Sequence, residues 1–77
     1  MEVEQEIGEI LTEMGISPEQ LTPEATLAED LDLDSVELIQ FALELEAHFN
    51  IEIPDEGVTP NMTLAQVAEK VRELQGV

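Results

Sequence analysis

Apolar residues recur along three separate stretches of the chain with the spacing of an amphipathic helix. In the first, Val3, Ile7, Ile10, Leu11 and Met14 fall three and four apart among acidic and polar neighbours, which is the period of one buried helical stripe. Gly15 follows at once and can take the left-handed conformation that closes a helix. The second stretch opens at Asp34 or Ser35 and runs to about Phe49. Asp34 suits the N-cap, and Glu37, three residues on, completes a capping box. Thr63 and Gln66 repeat that box ahead of Leu64, Val67, Ala68, Val71 and Leu74. Lys70 and Arg72 stand near the end of this third helix, where positive charge suits the dipole, and Gly76 closes it.

The connections are less regular. Residues 16–34 contain Ser17-Pro18, which reads as an N-cap followed by proline at the first position of a brief turn, and a second break at Thr22-Pro23. Ile16, Leu21, Leu27, Leu31 and Leu33 are spaced to pin this long segment onto the helices. Asn50 to Pro54 reads as an extended exit. Residues 55–62 include Gly57 and Pro60, so any helix there is short and weak. No internal repeat, low-complexity tract or strand-like alternation occurs. The expectation is an all-α bundle of three main helices plus one short helix, a single domain over residues 1–77.

The middle helix is apolar on two sides. At about 100° per residue, Leu38, Phe41, Ala42, Leu45 and Phe49 gather on one side and Val36, Ile39 and Leu43 on the other. Glu37, Glu44 and His48 form a polar edge between them. One stripe suffices for a helix in a small bundle. The second is either a docking surface beside charge or the shoulder of a wide core stripe, and spacing alone leaves both open.

Composition narrows the class. At 77 residues only roughly 60% of the unfolded chain's surface can be buried, which favours a binding or carrying module over an enzyme with a deep, dry cleft. The absence of cysteine excludes disulfides, thiolate metal sites and a cysteine nucleophile. Nineteen acidic against two basic residues give a formal net charge of −17, so nucleic acid and anionic membranes are poor partners and basic protein surfaces good ones. Highly acidic chains are often disordered, but 43% hydrophobic content at helical spacing argues for folding. The self-repulsion predicts salt sensitivity. The N-terminus is acidic where a targeting peptide is basic, and no apolar run suits a membrane span. The chain therefore reads as a complete, soluble, intracellular protein, with the cytoplasm as its expected location and a monomer as its expected state.

The chemistry concentrates in residues 29–38, Glu-Asp-Leu-Asp-Leu-Asp-Ser-Val-Glu-Leu. Ser35 follows a capping aspartate at a helix start, where backbone N–H groups and the dipole favour an attached anion. A nucleophilic role for Ser35 is disfavoured, because no activating base adjoins it; the one histidine, His48, lies more than three turns on and reads as a surface residue. Asp30, Asp32 and Asp34 alternate like the first ligands of a calcium-binding EF-hand loop, but Ser35 stands where that loop needs glycine and Phe41 where it needs glutamate.

Asp34-Ser35-Val36-Glu37-Leu38-Ile39 resembles the phosphopantetheine attachment motif of the acyl carrier protein family, and residues 48–56, His-Phe-Asn-Ile-Glu-Ile-Pro-Asp-Glu, resemble the phrase that follows it. Length, acidity and flanking helices agree, so the resemblance spans essentially the whole chain. It implies a non-catalytic carrier of acyl thioesters in polyketide or fatty-acid type biosynthesis, with 4′-phosphopantetheine moved from coenzyme A onto Ser35 by a phosphopantetheinyl transferase. It implies acyltransferase and ketosynthase-type partners docking on Asp34, Val36, Glu37, Ile39, Gln40, Leu43, Glu46 and Ala47. It also implies cargo held between helices, with Leu38, Ala42, Leu45, Leu64 and Val67 as the lining. Gln40 and Ala47 stand where housekeeping fatty-acid carriers usually have acids, and Asp32 where glycine is common. These departures lean towards a dedicated pathway, which efficient loading and elongation by fatty-acid enzymes would contradict. A peptidyl or aminoacyl carrier shares fold and arm but tends to a glycine-rich lead into the serine, unlike Asp32-Leu33-Asp34. A cofactor-free acidic adaptor is the remaining alternative.

Overall fold

The computed structural model describes residues 3–54 and 57–76. Three α-helices carry the fold: α1 (Val3–Glu13), α2 (Ser35–Phe49) and α3 (Leu64–Leu74), with a 3₁₀ turn at Pro18–Gln20 between α1 and α2. This is the all-α bundle that the periods predict, and the described short helical element is the one at Pro18. Residues 57–62, where the sequence predicts a short weak helix, form bends and turns instead; residues 55 and 56 lie outside the described residues. The local geometry is that of a tight turn. The Gly57 N–H closes a turn on the Pro54 carbonyl at 2.8 Å, and a Cβ on Gly57 would lie 2.7 Å from Ile53 Cγ2. Pro60 supplies no N–H.

The helix ends follow the residues that mark them. Gly15 takes φ 104°, which lets its N–H reach the Thr12 carbonyl and the Ile16 N–H reach Leu11, each at 3.0 Å, in the Schellman arrangement. Asn50, at φ 55°, ends α2 in the same left-handed region. Both capping boxes form. The Glu37 N–H donates to Asp34 Oδ1 at 2.8 Å and the Asp34 N–H to Glu37 Oε1 at 3.0 Å. Thr63 and Gln66 exchange the corresponding pair at the start of α3.

Burial selects one stripe from each helix. Ile7, Ile10 and Leu11 of α1 meet Phe41 and Leu45 of α2 and Val67, Ala68 and Val71 of α3, joined by Ala25, Leu27, Leu31 and Leu33 from the long connection. Each large side chain so buried stabilises the fold by about 1.5–3 kcal/mol before entropy is charged.

The long connection has a second attachment that its sequence does not announce. Thr26 forms an isolated antiparallel bridge with Thr63. The Leu27 N–H donates to the Met62 carbonyl at 3.1 Å, and the Leu64 N–H to the Ala25 carbonyl at 3.0 Å. The α1–α3 seam carries an ion pair between Arg72 and Glu4. The hydrogen bond from the Arg72 guanidinium is the main cause holding the Glu4 carboxyl below its ordinary 4.5.

Candidate functional site

Ser35 is the first residue of α2, and its side chain is exposed together with those of Asp32, Asp34 and Val36. Its position follows from its neighbours. Leu31 and Leu33 are buried on either side of exposed Asp32, so the segment before the helix is anchored and Asp34 is delivered to the cap. Asp32 sits at φ 58°, a left-handed conformation that glycine takes freely and aspartate tolerates better than most residues. Asp32 thus meets a backbone demand that glycine would meet without strain.

Three carboxylates of this segment, those of Asp30, Asp34 and Glu37, are already engaged. Asp30 Oδ2 accepts the Thr26 N–H at 2.8 Å, and Asp34 and Glu37 close the capping box. Among the described residues no group of three or more acidic, histidine or cysteine side chains is arranged to hold a metal ion.

The outer stripe of α2 is solvent-facing. Val36 is 69% exposed, Ile39 63% and Leu43 59%, the large apolar side chains most open to water among the described residues. Ile39 and Leu43 therefore lie outside the buried core. Gln40, Ala47 and His48 are also exposed, whereas Glu37 and Glu46 are half-buried and engaged. Glu46 Oε2 accepts the Ile53 N–H at 2.8 Å, so this carboxylate braces the exit segment after α2.

Between α2 and that segment runs an open groove of about 310 Å³, lined by Leu38, Ile39, Ala42, Leu43 and Glu46 on the helix and by Ile53, Pro54 and Val58 opposite. Leu38 and Ala42 of the sequence-derived lining set stand here. Leu45 and Val67 do not: both are sealed in the core at 0% exposure. Leu64 borders a separate cleft of about 150 Å³ with Ile7, Gly8 and Leu21. Helical spacing marks Leu38 and Ala42 but not what closes over them, and residues 48–56 are the stretch of sequence that contains Ile53 and Pro54 of the opposite wall.

A family model described as a phosphopantetheine attachment site matches residues 5–71. The acyl carrier protein of Rubrobacter xylanophilus is 39% identical over 75 residues, 96% of this chain and 93% of that one. The chain belongs to the acyl carrier proteins. The meromycolate extension acyl carrier proteins of Mycobacterium tuberculosis and Mycobacterium leprae are each 34% identical over 70 residues, 90% of this chain. The match spans 61% of the length of those two relatives. An acyl carrier protein takes 4′-phosphopantetheine as its prosthetic group, and the residues at the head of α2 fit one. The hydroxyl is open to solvent, and the helix end favours an attached phosphodiester. The exposed apolar row begins at the next residue. Among the described residues no helix is long and apolar enough to cross a membrane.

Proposed function

We propose that residues 1–77 act as one acyl carrier domain in which Ser35 is the attachment hydroxyl, serving fatty-acid or polyketide type biosynthesis without catalysing a step itself. The observation that carries this reading is the exposure of Ser35 at the first position of α2, inside the attachment motif and beside an exposed apolar row. In loading, Ser35 Oγ gives up its proton and forms a new P–O bond to the pantetheine-bearing phosphorus of coenzyme A, and adenosine 3′,5′-bisphosphate leaves. Once attached, the arm supplies the terminal thiol on which acyl groups are held as thioesters.

The chain's own residues then do three things. Asp34 and Glu37 fix the helix start, which holds Ser35 in one orientation. Val36, Ile39 and Leu43, with Asp34, Gln40 and Ala47 around them, offer an apolar strip in an acidic field to transferases, acyltransferases and ketosynthase-type partners that carry basic and apolar patches. Leu38 and Ala42 line the groove that receives cargo. A cytoplasmic monomer is the form this reading assigns to the carrier.

Incubation with coenzyme A and a promiscuous phosphopantetheinyl transferase tests the reading. Intact mass should rise by one phosphopantetheinyl group, and Ser35→Ala should abolish the gain while leaving helical content unchanged. A wild-type protein that stays bare with a competent transferase is an acidic helical adaptor instead.

A further inference from the structure

The groove beside α2 is apolar along most of its length, yet Glu46 lines it. The hydrogen bond from the Ile53 N–H holds that carboxylate in place at 2.8 Å, so it cannot swing fully into solvent without freeing a part-buried donor. From Leu38 to Glu46 the helix rises about 12 Å, with Glu46 towards the end away from Ser35. Phe41 and Leu45, on the inward side of the same helix, are completely buried and take no part in the lining. The groove therefore carries a held carboxylate on its wall, in a chain of formal net charge −17.

We propose that this groove sorts cargo by charge: short uncharged acyl chains lie in it, and acyl chains ending in a carboxylate are kept out by Glu46. A carboxylate entering the groove loses its water and meets a like charge on a wall whose other described residues are apolar or proline. Both effects oppose entry. An uncharged chain of equal length meets neither and gains apolar burial against Ala42, Ile53 and Val58. Excluded cargo stays in solvent, where a partner enzyme reaches it without first extracting it. The inference rests on the carrier reading above and adds the class of cargo held.

A matched pair of probes tests it. The protein is loaded in one step from hexanoyl- and adipoyl-coenzyme A, and loading is confirmed by mass. The amide resonances of Ala42, Ile53 and Val58 are then compared with those of the protein carrying the arm alone. Hexanoyl cargo should shift these amides and slow thioester cleavage by hydroxylamine several-fold, while adipoyl cargo should leave both at the unsequestered values. Monomethyl adipoyl cargo, which has lost the charge but not the length, should behave as hexanoyl does in the unaltered protein. Glu46→Gln keeps an oxygen for the Ile53 N–H and should admit adipoyl cargo. Adipoyl shifts in the wild type equal to those of hexanoyl, or exclusion of the methyl ester, would overturn the sorting. So would a loaded protein in which no cargo touches the groove, with Ser35 attachment still standing. Failure of the mass gain itself removes the carrier reading and the sorting with it.

Discussion

Two sides of α2 are built from similar side chains and face different surroundings. Phe41 and Leu45 are fully enclosed, while Val36, Ile39 and Leu43 are each more than half exposed. Both sets are hydrophobic, and both repeat at helical spacing. What separates them is the company each keeps: α1, α3 and the four anchors of the long connection lie against the first, and water lies against much of the second. Exposed apolar surface of this kind contributes little to holding the chain folded. On the docking proposal, its value would lie in what it gains when another protein covers it.

That contrast makes quantitative claims. The largest effect should come from the inner side. Phe41→Ala removes a wholly buried ring and should cost about 3–5 kcal/mol, enough to leave a small domain largely unfolded; urea denaturation followed by circular dichroism measures it. A loss below about 1 kcal/mol would erase the distinction between the two sides, since an exposed substitution commonly costs no more than that.

On the outer side, Val36→Asp should leave the urea midpoint within about 0.5 kcal/mol, since an acid in the first turn suits the dipole. With a ketosynthase or acyltransferase partner it should cost about 1–2 kcal/mol of recognition, roughly five- to thirtyfold in kcat/KM. Steady-state turnover of the loaded protein reads this, and unchanged turnover would mean the strip is not the docking surface. Val36 lies outside the groove lining, so the result is independent of cargo. Asp34→Ala, at the boundary of the two sides, should remove about 1 kcal/mol through the lost cap, measured by the same denaturation.

The smallest effect lies away from α2. Arg72 depresses the Glu4 carboxyl, so this pair's contribution is fully present above the ordinary carboxylate value of 4.5 and is lost as pH falls through the lower, folded-state value. Acidification also relieves the chain's self-repulsion, which acts in the opposite sense. The informative quantity is therefore the difference between wild type and Arg72→Gln in urea midpoint. It should favour the wild type near neutral pH, narrow below 4.5, and shrink with added salt.

Much of this arrangement is written in residue order because it depends on local geometry. Helical period separates the two stripes of α2, and the paired residues of each capping box lie only three positions apart. Gly15 closes α1 by the same short-range logic. The parts that are not legible depend on backbone groups or on distant neighbours. The bridge between Thr26 and Thr63 is made of main-chain bonds and leaves no alternation to read. Leu45 and Val67 carry the same apolar label as Leu38, and only the packing of α1 and α3 seals them away from the groove. Glu46 looks like one more surface acid until the chain turns back and brings the Ile53 N–H to it. Fold class thus follows from spacing, and the lining of a cleft follows from which segments return to meet.

The main-chain tie between Thr26 and Thr63 has a consequence for how the molecule breathes. It joins the middle of the long connection to the threshold of α3, so neither can swing away while the other stays in register. The amides of Leu27, Ala28, Leu64 and Ala65, each donating across this seam, should exchange with deuterium as one cooperative unit rather than as a floppy strap beside a firm helix. The segment leading to Ser35 would then inherit its steadiness from the far end of the sequence.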